Sequence, residues 1–546
     1  MSDDQSTEPT VPFDGSDGAA METVGPGGPR ERTRRTAVIA GVAVAVVAAL
    51  GGGAYAAYSF LNGGGPQPAD VLPASTVAVV SVDLDPSAGQ KIEAIKSIRR
   101  FPTLKKLLGL HADDDLREYV FDKVAGSGEC SQDFDKDVKP WLGKRAAFAA
   151  VDLGGSTPVP VIALQISDPA KAKNGFDAIV GCLAPDDFAF VVGDDYLIAS
   201  DSAAHAKAVL DKGVQKPLAD DAAYQKWTDE AGDAGVINFY VSKRAARYAT
   251  DLLDRMGSDL VGGLDGAPDA SSSQDFGSSG DPFGSARDVL KNFQGLGGTV
   301  RFAGGGMELS IAAGGIDQLS GLATVGKSLG ALPSDTAVAL GLGISKDYAQ
   351  QVVKQLGAGG DDMVTQAEKE TGLDFPEDLQ TLLGSSVIVA LGGDAPSSLG
   401  DVQAPDEIPL GLVIHGDADK IKDRIATAED HLGMHLSDIP LVLESSGDKV
   451  AIATSKDYAD DLLKSGSLGS KGAFRDAVPN ADDASSIMYV DFDSAWRDAL
   501  VDAVAAEEGA RSGDELKSNL EPLKSLGLTS WQDGDVSHGL LKIATD

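Results

Sequence analysis

The stretch LPASTVAV at residues 72–79 returns 260 residues later as LPSDTAVA at residues 332–339. Four further patterns repeat in the same order. Asp133-Phe134 leading to Trp141-Leu142-Gly143 returns as Asp374-Phe375 leading to Leu382-Leu383-Gly384. PVPVIALQISDPAKA around Pro160 returns as IPLGLVIHGDADKI around Pro409, and Gly193-Asp-Asp-Tyr-Leu-Ile-Ala-Ser as Gly447-Asp-Lys-Val-Ala-Ile-Ala-Thr. Ile237-Asn-Phe-Tyr-Val, with the helical stretch that follows it, returns as Ile487-Met-Tyr-Val-Asp. Kept order at nearly constant offset means one unit duplicated, with insertions and deletions in its loops.

Within the first copy, apolar alternation predicts strands over 76–84, 146–152, 159–166, 189–192, 196–200, 236–241, 299–302 and 307–312. Helical periodicity predicts helices near 90–108, 114–124, 170–179, 203–210, 222 and 242–256. Strands in adjacent pairs, joined by tight Gly or Asp turns and interrupted by helices, imply an α+β fold with a mainly antiparallel sheet. Residues 262–285, rich in Gly, Ser and Asp, read as a flexible insertion.

Outward from the duplication, residues 36–61 form a 26-residue run without a charge, long enough to cross a bilayer core of ~30 Å. Arg30, Arg32, Arg34 and Arg35 precede it, and residues 62–70 carry no basic residue. The positive-inside rule therefore puts residues 1–35, a disordered tail, in the cytoplasm and everything past the run outside it. A signal peptide cleaved after Ala54-Tyr55-Ala56 is the alternative. The expected organisation is tail 1–35, single N-terminal transmembrane helix 36–61, linker 62–70, first copy 71–318, connector 319–331 and second copy 332–546. The lipid bilayer is thus an expected partner, through residues 36–61.

The chain has 546 residues and a net charge of −37, nearly all of it beyond the apolar run. Such a balance excludes a protein that binds nucleic acid by neutralising phosphates. A hydrophobic content of 42% excludes global disorder. The two cysteines, Cys130 and Cys182, both fall in the exported part, where thiols oxidise, and are expected to form a disulfide; two buried free thiols are the alternative.

The membrane run, the LPASTVAVVSVDLDPSAGQK stretch and DFDKDVKPWLG ahead of a strand together resemble the actinobacterial membrane-anchored family of domains of unknown function numbered 3352. The resemblance is best in the first copy; the second has Leu382 where the first has Trp141, and no cysteine. It implies a membrane-anchored envelope protein and brings no activity with it.

Several motifs fit a chemistry formally. Gly321 to Ser328 matches the phosphate-binding P-loop, but no strand leads directly into it, so it reads as a helix and linker joining the copies. Gly326-Lys-Ser328-Leu-Gly330 matches the nucleophile elbow of hydrolases, with His538 in the expected last place, yet its surroundings predict helix. His431 and His435 would share a helix face and could hold a metal, but Leu432 stands where a zinc protease has Glu, and Gly433 weakens the helix. Asp133, Asp135 and Asp137 lack the Gly and terminal Glu of a calcium loop. Trp141 reads as a core anchor.

Lys91, Lys96, Arg99, Arg100, Lys105 and Lys106 form a basic island along the apolar stripe Ile92, Ile95, Ile98 and Phe101. They are a candidate contact with a membrane or an anionic partner, or simply the solvated face of a packed helix. With no catalytic, cofactor or metal residues singled out, the expectation is a non-enzymatic binding or scaffold protein with an unknown envelope partner. The alternatives are a carrier of a lipid or other apolar ligand and an extracytoplasmic hydrolase using Ser328.

Overall fold

The structure, a computed structural model, describes residues 66–83, 115, 117, 118, 121, 132–183, 188–262, 284–303, 306–316, 322–355, 360–394, 396 and 402–545. The first half runs β1 (Thr76–Asp83), a π-helical turn (Phe134–Val138), β2 (Leu142–Val151), β3 (Val159–Ile166), α1 (Pro169–Leu183), β4 (Ala189–Val192) and β5 (Tyr196–Ser200). It continues through α2 (Ala203–Gln215), α3 (Ala222–Glu230), β6 (Ile237–Ser242), α4 (Ala245–Gly262), α5 (Gly284–Asn292), β7 (Gly295–Ala303) and β8 (Gly306–Gly314). The second half runs α6 (Gly326–Gly330), β9 (Val338–Gly343), α7 (Tyr348–Gln355), α8 (Gly360–Thr371), α9 (Glu377–Leu383), β10 (Ser386–Leu391), β11 (Leu410–His415) and α10 (Ala418–Leu432). It ends with β12 (Val442–Ser446), β13 (Lys449–Ala453), α11 (Lys456–Leu463), α12 (Gly472–Ala477), β14 (Ser486–Asp491), α13 (Trp496–Glu508), α14 (Ala510–Leu520), β15 (Leu523–Asp533) and β16 (Val536–Thr545).

The fold is α+β, built on one antiparallel sheet in the order β12-β13-β11-β10-β9-β14-β15-β16-β8-β7-β6-β1-β2-β3-β5-β4. Read from its two edges, this order is the same eight-strand sequence twice. The halves join where β16 pairs with β8, from Val536↔Gly314 to Ile543↔Met307. Local chemistry repeats as well. Asp168 and Asp417 accept from the first backbone amides of α1 and α10, and Ser202 and Ser455 cap α2 and α11.

Side chains two apart on a strand share a face. On one face each half packs a core against its helices: Val79, Ala149, Tyr240, Leu72 and Leu218 in the first, Ala339, Ala390, Tyr489, Leu332 and Leu468 in the second. Tyr224 meets Tyr240 edge-to-face at 5.2 Å, and Phe474 meets Tyr489 at 5.1 Å. The amide of Leu218 donates to the Leu72 carbonyl, as that of Leu468 does to Leu332. These matched contacts align the halves residue by residue. Val325 and Leu329, in the expected connector, belong to the core of the second half.

The opposite face differs between the halves. Val80, Ile237, Phe239 and Val300 are buried there in the first. In the second, Leu528, Met488, Leu340, Val389 and Leu412 stand in register across five strands. Leu528, Leu340 and Val389 in that row are 45, 46 and 38% exposed. The solvated face of an antiparallel sheet is ordinarily polar, so this apolar row is a departure.

Among the described residues no helix is long and apolar enough to cross a membrane. The expected tail, transmembrane run, basic island, Cys130 and most of the flexible insertion lie outside the described residues. The last residues of that insertion are helical, since α5 begins at Gly284.

Candidate functional site

A cavity of about 620 Å³ opens in the first half, against the core face of β1, β6 and β7. Residues 67–69 wall it on one side, α3 and the segment after it on another, and Arg145 of β2 contributes at the end. Strand parity explains the lining. Ser81 pairs with Asn238 and Asn238 with Thr299, so all three present their side chains to one face.

The polar groups are arranged by one another. Asn238 Oδ1 accepts from the Gly235 amide at 2.8 Å and from Thr299 Oγ1 at 3.1 Å, while its Nδ2 donates to the Gly235 carbonyl at 3.0 Å. Ser81 Oγ donates to the Asn238 carbonyl at 3.3 Å, and Thr228 Oγ1 to the Tyr224 carbonyl at 2.8 Å. Each of these three hydroxyls has its proton engaged and keeps acceptor lone pairs. Arg145 is buried, its Nε 3.6 Å from Asp83 Oδ2 and its Nη1 donating to the Pro66 carbonyl at 3.1 Å. Burial pushes the Tyr224 phenol up to about 12 and that of Tyr240 higher still, so both hydroxyls stay protonated at neutral pH.

The second half is an internal control. By strand register and matched contacts, Asn238 corresponds to Ile487, Thr228 to Val478, Ala69 to Leu329 and Ser81 to Gly341. Leu329, Val478 and Ile487 are buried in the core of the second half. A Cβ on Gly341 would stand 2.8 Å from Leu329 Cδ1 and 3.1 Å from Val325 Cγ2. The space left open in the first half is therefore plugged with apolar side chains in the second. Sequence reasoning singled out none of the cavity residues: it set Ile237 against Ile487, one residue off the structural register that matches Asn238 to Ile487, so the replacement of Thr228 by Val478 was the signal left in view.

The residues singled out from sequence do other things. Ser328 sits within the single turn of α6, and residues 322–325 before it are irregular, so no strand-to-helix elbow presents its hydroxyl. Gly321 lies outside the described residues, and Gly326 is pressed against the Ala481 carbonyl. His538 stacks on Trp531 at 5.0 Å, with its Nε2 3.8 Å from Glu230. Helix α10 stops at Leu432 with Gly433 left-handed (φ 64°), so His431 and His435 do not share a helix face. His431 Nδ1 instead donates to the Thr427 carbonyl at 3.0 Å.

Asp133 caps the π-helical turn and pairs with Lys136, while Asp137 accepts from the Asp133 amide and Asp135 pairs with Lys139. Trp141 is buried and donates to the Asp137 carbonyl at 2.6 Å. Among the described residues no three His, Cys, Asp or Glu side chains gather as a metal ion would need. The backbone of Cys182 lies in α1, and its expected partner Cys130 is outside the described residues.

Residues 38–181 match the model of the family described as protein of unknown function (DUF3352). No curated protein matches. Among solved structures, crystal forms IV and III of TP0453 each show 8% identity and a TM-score of 0.21 over 46% of this chain, covering 81% and 80% of theirs. Crystal form I shows 9% identity and a TM-score of 0.20. A likeness at that level carries no argument about this chain.

Proposed function

We propose that this chain is a membrane-tethered, non-catalytic binding protein of the cell envelope, which holds a small molecule in the cavity of its first half. The observation that carries this reading is the contrast between the halves. The same position is closed by Leu329, Val478 and Ile487 in one and left open by Ala69, Thr228 and Asn238 in the other. A volume of about 620 Å³ falls within the range of ligand sites, roughly 300–1,000 Å³. The apolar run 36–61 would supply the tether, with the N-terminus cytoplasmic. From Leu61 to Gln67 the chain reaches at most ~20 Å, so the cavity wall would lie close to the outer membrane face.

The test is native mass spectrometry of the full-length chain released gently from its own membrane. Extra mass that disappears in an Ala69→Leu/Thr228→Val variant is the expected result. A bare chain whose spectrum the variant leaves unchanged would remove the reading.

A second reading, a carrier of apolar ligand, is favoured by the exposed row Leu528, Leu340 and Val389, which could receive an acyl chain laid across the strands. An apolar cavity lined from both copies would favour a carrier, whereas the residues that line this one belong to the first copy and to residues 67–69 just before it. Loss of copurifying lipid in a Leu340→Ser/Val389→Ser variant would favour this second reading.

A further inference from the structure

We infer that the first-half cavity takes a neutral, polyhydroxylated group, a sugar or a comparable polyol, either free or as the headgroup of a glycolipid. The inference rests on the binding reading above and names its ligand class from the lining.

Ser81, Thr228 and Thr299 spend their protons on protein acceptors and turn lone pairs to the cavity. A partner for them must bring hydrogen-bond donors. Tyr240 is almost wholly buried and lines the cavity, and among the described residues neither it nor Tyr224 has a hydrogen-bond partner for its hydroxyl. Each phenol can both donate to and accept from a ligand hydroxyl. Tyr489, the counterpart of Tyr240 in the second half, has its hydroxyl sealed in the core without a partner among the described residues, whereas that of Tyr240 is open to the cavity, where a ligand hydroxyl can reach it.

Charge and polarity exclude the competing classes. Arg145 is the cation in the lining, and its guanidinium already faces Asp83 and the Pro66 carbonyl. Asp229, also in the lining, is exposed at the rim. An anion would therefore meet carboxylates and acceptor lone pairs. A purely apolar ligand would leave the Tyr224 and Tyr240 hydroxyls without partners and the acceptor lone pairs of Ser81, Thr228 and Thr299 unused. The second half accommodates apolar atoms at this place, with Ile487 and Val478 in the positions of Asn238 and Thr228.

The experiment uses the full-length chain in phosphatidylcholine nanodiscs, with binding followed by calorimetry and by thermal stability. The probes are maltose and myo-inositol in solution and monogalactosyl diacylglycerol added to the disc, against lauric acid and inorganic phosphate. Saturable binding of maltose or inositol supports a free polyol; stabilisation by the glycolipid alone supports a headgroup. In either case Tyr240→Phe should weaken binding about tenfold, because it deletes one ligand hydrogen bond and nothing else. Ala69→Leu/Thr228→Val should abolish binding, with circular dichroism checking that it folds.

Binding of lauric acid or phosphate but of no polyol would overturn the ligand class and leave the binding reading standing. Indifference to every probe, with a chain that also carries no mass when taken from its own membrane, would overturn both.

Discussion

Lys542 Nζ on β16 lies 3.0 Å from Glu308 Oε1 on β8, so an ion pair spans the one strand pairing that joins the two halves. Arg301 on β7 holds the other oxygen of Glu308 at 2.6 Å. Burial acts to raise the Glu308 carboxyl, and the hydrogen bonds from Arg301 and Lys542 more than offset it, leaving it below the usual carboxylate range. Removing Glu308 would leave two cations facing each other beside the seam.

Glu308→Gln should therefore cost about 2–3 kcal/mol in urea unfolding at neutral pH. A double-mutant cycle with Lys542→Met should show coupling of about 1 kcal/mol or more. Because the folded-state pKa is depressed, this stabilisation is complete above the ordinary carboxylate value of 4.5. It disappears as pH falls through the lower folded value. Additive single substitutions would show that the pair contributes nothing to the seam.

His538 tests the same seam at milder pH. Burial holds its imidazole below the ordinary 6.5, against the opposing pull of Glu230 and Asp533. The unfolded chain takes up the proton first, so stability is greatest above about 6.5 and declines as pH falls toward the folded value. Thermal unfolding from pH 7.5 to 5 should show that decline. His538→Phe, which retains an aromatic ring on Trp531, should flatten it; His415, lowered by burial and by Lys449, leaves a residual slope of the same sign. An unchanged slope in the variant would assign the effect elsewhere.

The strands of the first half were legible because alternation leaves a two-residue period in the sequence, and each falls where it was expected. The exceptions in extent are β2, which begins at Leu142 and was expected from Ala146, and β7, which begins at Gly295 and was expected from Thr299. Gly295, Gly297 and Gly298 fell outside the expected strand, yet a Cβ at Gly297 would stand 2.0 Å from the Trp227 carbonyl and one at Gly295 2.2 Å from the Trp227 indole. Close approach of α3 demands glycine in a strand, and propensity cannot register that demand. The cavity was illegible for a related reason. An absence of volume is a property of what several distant segments fail to fill, so it emerges only once Ala69, Thr228 and Asn238 are brought together.

Two glycines in helices of the first half separate propensity from packing. Gly213 in α2 lies where a Cβ would be 1.8 Å from the Val71 carbonyl, in the segment fixed by the Leu72 to Leu218 hydrogen bond. Gly181 in α1 has nothing within 4 Å. Gly→Ala gains up to about 1 kcal/mol in an exposed helix. Gly181→Ala should show that gain, whereas Gly213→Ala should lose about 1–3 kcal/mol as α2 is forced off its contact. Equal responses at the two sites would mean that α2 does not pack this closely.

Filling the cavity separates a ligand site from a packing fault. Ala69→Leu introduces the side chain that Leu329 places at the matching point of the second half, where it is fully buried. At ~0.8 kcal/mol per buried methylene, the substitution should stabilise the unliganded chain by about 1–2 kcal/mol while removing ligand binding. A position where greater stability is available but forgone is one whose open volume serves function rather than folding. Loss of stability in Ala69→Leu would mean that residues 67–69 already fit their surroundings, and the contrast between the halves would then reflect different backbone spacing instead of an emptied site.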